Sequence, residues 1–151
     1  MIATAFAVAF VVYSCKSGLS EAGKLDLSAT PLQIVDSMNM VQTNKGKIEM
    51  RVVTGQMQRF DNDSVSREYF PEGMWVYAYT DDEVLESTIV SDEASHEKRK
   101  DSGEEIWKAF GNVVVKNIVK QQTMETDTIY WDRTKKEIYT DCYVRMYSPD
   151  G

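Results

Sequence analysis

From about Gln33 onward the chain alternates between apolar and polar positions. In "KGKIEMRVVTGQM", Ile48, Met50 and Val52 share one side while Lys47, Glu49 and Arg51 share the other. That period of two is the mark of a strand with one face in a core. "GMWVYAYTDDEVLESTIVSDEASH" carries two further runs, with Val76 and Ala78 in the first, split by the turn signal Asp81-Asp82. "EIWKAFGNVVVKN" sets Trp107, Ala109, Val113 and Val115 on one face. "TMETDTIYWD" and "EIYTDCYVRMY" complete the series. In the last, Ile138, Cys142, Val144 and Met146 alternate with Tyr139, Asp141, Tyr143 and Arg145. Polar turns separate the runs, which predicts an all-β fold of consecutive antiparallel strands. Its apolar side has to be covered by curling or stacking of the sheet. Two stretches stand outside the pattern. Residues 32–40 suggest a short helix, and the mixed-charge run "SHEKRKDSGEE" reads as a solvated hairpin loop that contains His96.

The inward set is therefore Ile48, Met50, Val52, Val76, Ala78, Trp107, Ala109, Val113, Val115, Ile138, Cys142 and Val144. A slip of one residue in any strand would reverse its faces. One strand is interrupted by Gly111-Asn112, two poor strand formers. A residue without Cβ, often with a bulge, is what a strand needs where it bends. Gly111 is the predicted bend.

Composition alters this picture little. The chain has 151 residues, 42% of them hydrophobic and 27% charged, which suits one domain with a real core. A net charge of -7 with no basic cluster argues against nucleic acid as a partner. Two cysteines, Cys15 and Cys142, make neither a disulfide framework nor a zinc site. The first 14 residues, "MIATAFAVAFVVYS", differ from all that follows, because they carry no charge. About 20 apolar residues are needed to span a bilayer as a helix. The run fits the apolar part of a secretory signal. "VVYSC" then matches a lipobox, which makes Cys15 a candidate for acylation. An uncleaved membrane anchor is the other reading, and the basic residues that usually precede such a run are missing. Residues 15–32 read as the lipidated cysteine and a flexible tether, and 33–151 as the folded domain. The turn signal "SPDG" at the end suggests further strands beyond Gly151.

Candidate chemistry is sparse. His96 is the one histidine, and no two carboxylates are singled out as a catalytic pair. Phosphate-loop, nucleophile-elbow and zinc-protease motifs are lacking. Cys142 reads as a small buried hydrophobe. No enzyme activity, metal or cofactor is expected. The soft apolar face (Met50, Trp107, Met124, Ile138, Cys142, Met146) reads on its own first as plain core, since most apolar faces are core, with a lipid-binding groove as the alternative.

The ordered blocks "EIWKAFGNVVVKN", "QQTMETDTIYWDRTKKEIYTDCYVRM", "YFPEGMWVYAY" and "STIVSDEA" resemble the LptC/OstA-like family of lipopolysaccharide-export proteins, in its Bacteroidetes-like lipoprotein versions. The likeness covers residues 40–147. It implies a twisted, open half β-jellyroll whose apolar groove holds the acyl chains of lipopolysaccharide. It implies a place on the periplasmic face of the inner membrane. The lipid would come from the inner-membrane ABC transporter and pass to an LptA-like periplasmic protein docked at a strand edge. The head-group phosphates would project from the groove's mouth, near Arg or Lys side chains or bridging cations. Against it stands a structural adaptor: a membrane-anchored β-sandwich with closed apolar faces and no lipid cargo.

Overall fold

The computed structural model describes residues 29–149. Cys15, the apolar leader, the tether up to residue 28 and Gly151 lie outside the described residues. The described fold is all-β. β1 (Gln33–Asn44) and β2 (Lys47–Asp61) form a hairpin whose turn, Lys45-Gly46, has φ of 51° and 84°. Two positive φ values are what a tight hairpin turn asks for. β3 (Val65–Phe70) and β4 (Met74–Tyr79) both pair antiparallel with β2, at opposite ends of it. They are two halves of one long pass, interrupted by Pro71-Glu72-Gly73. β5 (Leu85–Ser91) and β6 (Glu93–Arg99) are likewise one pass interrupted at Asp92. β7 (Glu105–Asn117) pairs with β6 through its first half and with β5 through its second. β8 (Gln122–Asp132) pairs along β7, and β9 (Glu137–Tyr139) and β10 (Arg145–Tyr147) both pair with β8. The result is a meander of long antiparallel passes in sequence order, as the spacing of the runs predicts.

Each pass breaks at the same level. Ser37 has φ of 57° and lies opposite Gly55, since Asp36 pairs with Gln56 and Met38 with Thr54. A Cβ on Gly55 would sit 2.9 Å from the Cβ of Glu72. Gly73 (φ 80°) lies against the carbonyl of Ser91. The amide of Asp92 donates to the carbonyl of Gly111 (2.9 Å), and Asn112 Nδ2 donates to the Asp92 carboxylate (2.6 Å). Gly111-Asn112 in turn opposes the single residue Asp127, because Phe110 pairs with Thr128 and Val113 with Thr126. That is a two-against-one bulge, and both residues are left-handed, with φ of 73° and 48°. The line of breaks is a crease across the sheet. It divides the sheet into two flaps that close on one another over a core of Val52, Met57, Phe70, Met74, Ala94, Ala109 and Val113.

The crease also keeps both flaps apolar inside. Regular alternation would carry inward residues in steps of two. At the crease the step becomes three, from Val35 to Met38, Thr54 to Met57, Ser91 to Ala94 and Thr126 to Ile129. It becomes four from Phe70 to Met74 and from Ala109 to Val113. Trp107, Ala109, Val113 and Val115 thus all face the core side, with the bulge between the pairs.

Three sequence expectations are corrected. Residues 32–40 are not helical; most of them lie in β1. His96 is not in a loop, because β6 runs to Arg99 and the loop is only residues 100–104. Polar residues on both faces of β6 disguise the strand. The final predicted strand is broken: residues 140–144 leave the ladder between β9 and β10. Cys142 and Val144 therefore sit in a link, not on a strand. Thr140 holds that link, its hydroxyl donating to the carbonyl of Thr128 and accepting from the amide of Cys142.

Candidate functional site

The facing walls of the flaps enclose an apolar chamber of about 260 Å³. One wall contributes Met50, Val52, Val76, Ala78 and Ile89. The other contributes Trp107, Ala109, Ile129, Trp131 and Ile138. Strand alternation aims each of these inward, and the phase slip at the crease lets both walls do so at once. Next to it lies a more polar vestibule of about 400 Å³. The two cavities share Met50, Ala78, Trp107 and Trp131, so they adjoin.

The vestibule wall is built by adjacent strands. Glu68 of β3 pairs with His96 of β6, and His96 with Trp107 of β7, so their side chains stand side by side. The imidazole stacks on the indole with ring centroids 4.2 Å apart. Phe70 continues the stack at 6.1 Å from Trp107. The two ring nitrogens of His96 lie 3.1 Å from Glu68 and 3.0 Å from Glu105. Arg133 donates to the same Glu105 carboxylate at 2.8 Å. The hydrogen bond from His96 holds the Glu68 carboxyl below its ordinary range, against the opposing effect of burial. At Glu105 burial pushes upward most strongly, but the hydrogen bond and charge of Arg133, helped by His96, bring the net shift down. Both groups are therefore carboxylates near neutral pH. From the facing flap come Gln42, Glu49 and Tyr79. Glu49 accepts a hydrogen bond from the neutral Gln42 amide (2.8 Å).

Of the inward residues expected from sequence, Met50, Val52, Val76, Ala78, Trp107, Ala109 and Ile138 line the chamber. Val113 and Val115 lie farther along β7, Val113 fully buried in the core and Val115 packed against it. Ile48 is at the outer rim, 39% exposed. Cys142 and Val144 do not line the chamber. Sequence reasoning missed Met74, Ile89, Ile129 and Trp131, although "GMWVY", "STIVS" and "TIYWD" carry them at alternating positions. It also missed the whole His96 network. Among the described residues no group of histidine, cysteine or carboxylate side chains could hold a metal ion. No described helix is long and apolar enough to cross a membrane. The arrangement suits partition of a hydrocarbon into the chamber with a polar group left in the vestibule. No protein-family model matches the chain, and no curated protein matches it.

Proposed function

We propose that the chain is a lipid-carrying module of lipopolysaccharide export. It would accept lipopolysaccharide from the inner-membrane ABC transporter and pass it to an LptA-like jellyroll bridge. The observation that carries this reading is the creased sheet with apolar walls on both flaps and a chamber left between them. A filled sandwich has no need of such a space. The edges support it as well. Among the described residues β1 pairs only with β2, and β9 and β10 only with β8, so both ends of the meander keep unpaired backbone groups. Such edges can add a strand from a neighbour and so continue a groove. Acylation of Cys15 would tether the domain at the inner membrane, since each buried CH₂ contributes about 0.8 kcal/mol.

The adaptor reading has one observation in its favour. At about 260 Å³ the chamber lies just under the roughly 300–1,000 Å³ of usual ligand clefts. On the transport reading the flaps part further when cargo enters. A photo-crosslinking amino acid separates the two. Placed at Trp107, where one ring replaces another on the chamber wall, it captures lipopolysaccharide in cells. Placed at Lys116, exposed on the outer face, it does not. Capture from Lys116 alone, or from neither site, would refute the lipid-carrier reading.

A further inference from the structure

We infer that the indole N–H of Trp107 donates a hydrogen bond to the carbonyl that joins an acyl chain of the cargo to its head, so that the protein selects acyl-linked over ether-linked lipids. This rests on the lipid-carrier reading and adds the linkage chemistry of the lipid. Trp107 Nε1 is buried from water and has no hydrogen-bond partner. Among the described residues it is the one such atom on a residue that lines the chamber or the vestibule. A buried donor left unbonded costs free energy, and nearly all such groups in folded proteins are paired. The ring is not free to turn toward an acceptor, because the rings of His96 and Phe70 stack against it, with centroids at 4.2 and 6.1 Å. The nearby carboxylates do not serve it either. Glu68 is held by His96, and Glu105 by His96 and Arg133. The donor is left to the occupant of the cavity.

The place of Trp107 decides which acceptor that is. It is one of the four residues that line both the chamber and the vestibule. With hydrocarbon in the chamber and a polar head in the vestibule, the group at this boundary is the one between chain and head. In an acyl lipid that group is an ester or amide carbonyl, a neutral acceptor. In an ether lipid it is a methylene, which leaves the donor unbonded. A phosphate oxygen fits less well. Glu49, Glu68 and Glu105 also line the vestibule, and Glu49 has only the neutral Gln42 amide as partner. Like charges there oppose an anion, whereas a neutral carbonyl meets no such opposition.

The test compares two lysophosphatidylcholines with the same 14-carbon chain, one ester-linked and one ether-linked, titrated calorimetrically into the full chain below their micelle concentrations. They differ only in a carbonyl where the other has a methylene. The ester lipid should bind about fivefold more tightly, the scale of one net hydrogen bond. Site-specific exchange of Trp107 for 3-benzothienylalanine keeps the bicyclic ring and puts sulfur where the N–H stood. It should bring the ratio close to one. The same exchange at Trp75, 39% exposed and outside both cavities, should leave the ratio as it was. The indole proton resonance of Trp107, identified by its loss in the first exchange, should move downfield with the ester lipid only. Equal affinities in the unaltered chain would overturn the inference, as would a preference that survives the exchange at Trp107 or is lost equally at Trp75. Binding of neither lipid would overturn the lipid-carrier reading beneath it.

Discussion

Gly111 is where the crease is most sharply testable. Its φ of 73° lies in the left-handed region, which costs an L-residue roughly 1–2 kcal/mol. A Cβ built there would also meet the Cβ of Asp92 at 3.0 Å and its Oδ2 at 3.1 Å. Asp92 cannot easily retreat, because its amide is bonded to Gly111 and its carboxylate to Asn112. Forcing an atom into such packing costs about 1–3 kcal/mol. Gly111→Ala should therefore destabilise by about 2–5 kcal/mol, against a total of roughly 5–15 kcal/mol for an ordinary domain. Gly103 supplies the control. It has φ of 71°, yet nothing lies within 4 Å of its would-be Cβ. Gly103→Ala should show the backbone part alone, about 1–2 kcal/mol. Urea denaturation of both variants, read at equal slope, gives the difference directly. Gly111→Val adds a β-branched side chain in a region such residues avoid and should disturb register as well. If Gly111→Ala costs no more than Gly103→Ala, the close contact across the crease is wrong. The claim that Gly111 closes the fold line then fails.

Further expectations concern the core and the vestibule. Phe70 is 1% exposed and stacks on Trp107, so Phe70→Ala should cost about 3–5 kcal/mol in the same urea assay. A loss below about 1 kcal/mol would mean that the flaps do not close over it. Glu68 and Glu105 have folded-state pKa values below their ordinary 4.5, so the stability they contribute is present above that pH and lost as pH falls through the lowered values. The urea midpoint should accordingly fall as pH drops below 4.5, and Glu68→Gln should make that fall shallower. An unchanged slope in Glu68→Gln would refute the His96–Glu68 link.

Much of this fold could be read from sequence because a strand records its facing in every second residue. "KGKIEMRVV" and "EIWKAF" did so, and Gly111-Asn112 marked a bend through residues that strands avoid. Gly55 and Pro71-Glu72-Gly73 carry the same kind of mark, but the breaks at Asp92 and Asp127 do not. Asp92 and Asp127 are ordinary polar residues, and only their neighbours across the ladder show them to be part of the same line. β1 misled for a physical reason: the step of three from Val35 to Met38, with Leu32 before it, imitates the spacing of a helix face. The His96 network was hidden differently. Glu68, His96 and Glu105 face inward at the mouth, where polar residues are tolerated, so the run containing His96 and Glu105 has the composition of a loop. At the other end, alternation continued through Thr140 to Val144 after the backbone had left the sheet. Pattern alone does not report hydrogen bonds.

Because the crease runs at right angles to the strands, two dimensions of the cavity are set independently. Residues per half-strand fix how deep the trough is, and the number of passes fixes how far it extends. Each pass makes its bend with local contacts to its neighbours, as Asp92 does with Gly111 and Asn112. Adding or removing a hairpin at β1 or at β9 and β10 would lengthen or shorten the trough without changing its cross-section. Lengthening every strand would deepen it without changing its reach. A chain built this way can be matched to a longer route by duplication of hairpins and to a bulkier passenger by extension of strands, and neither change requires the other.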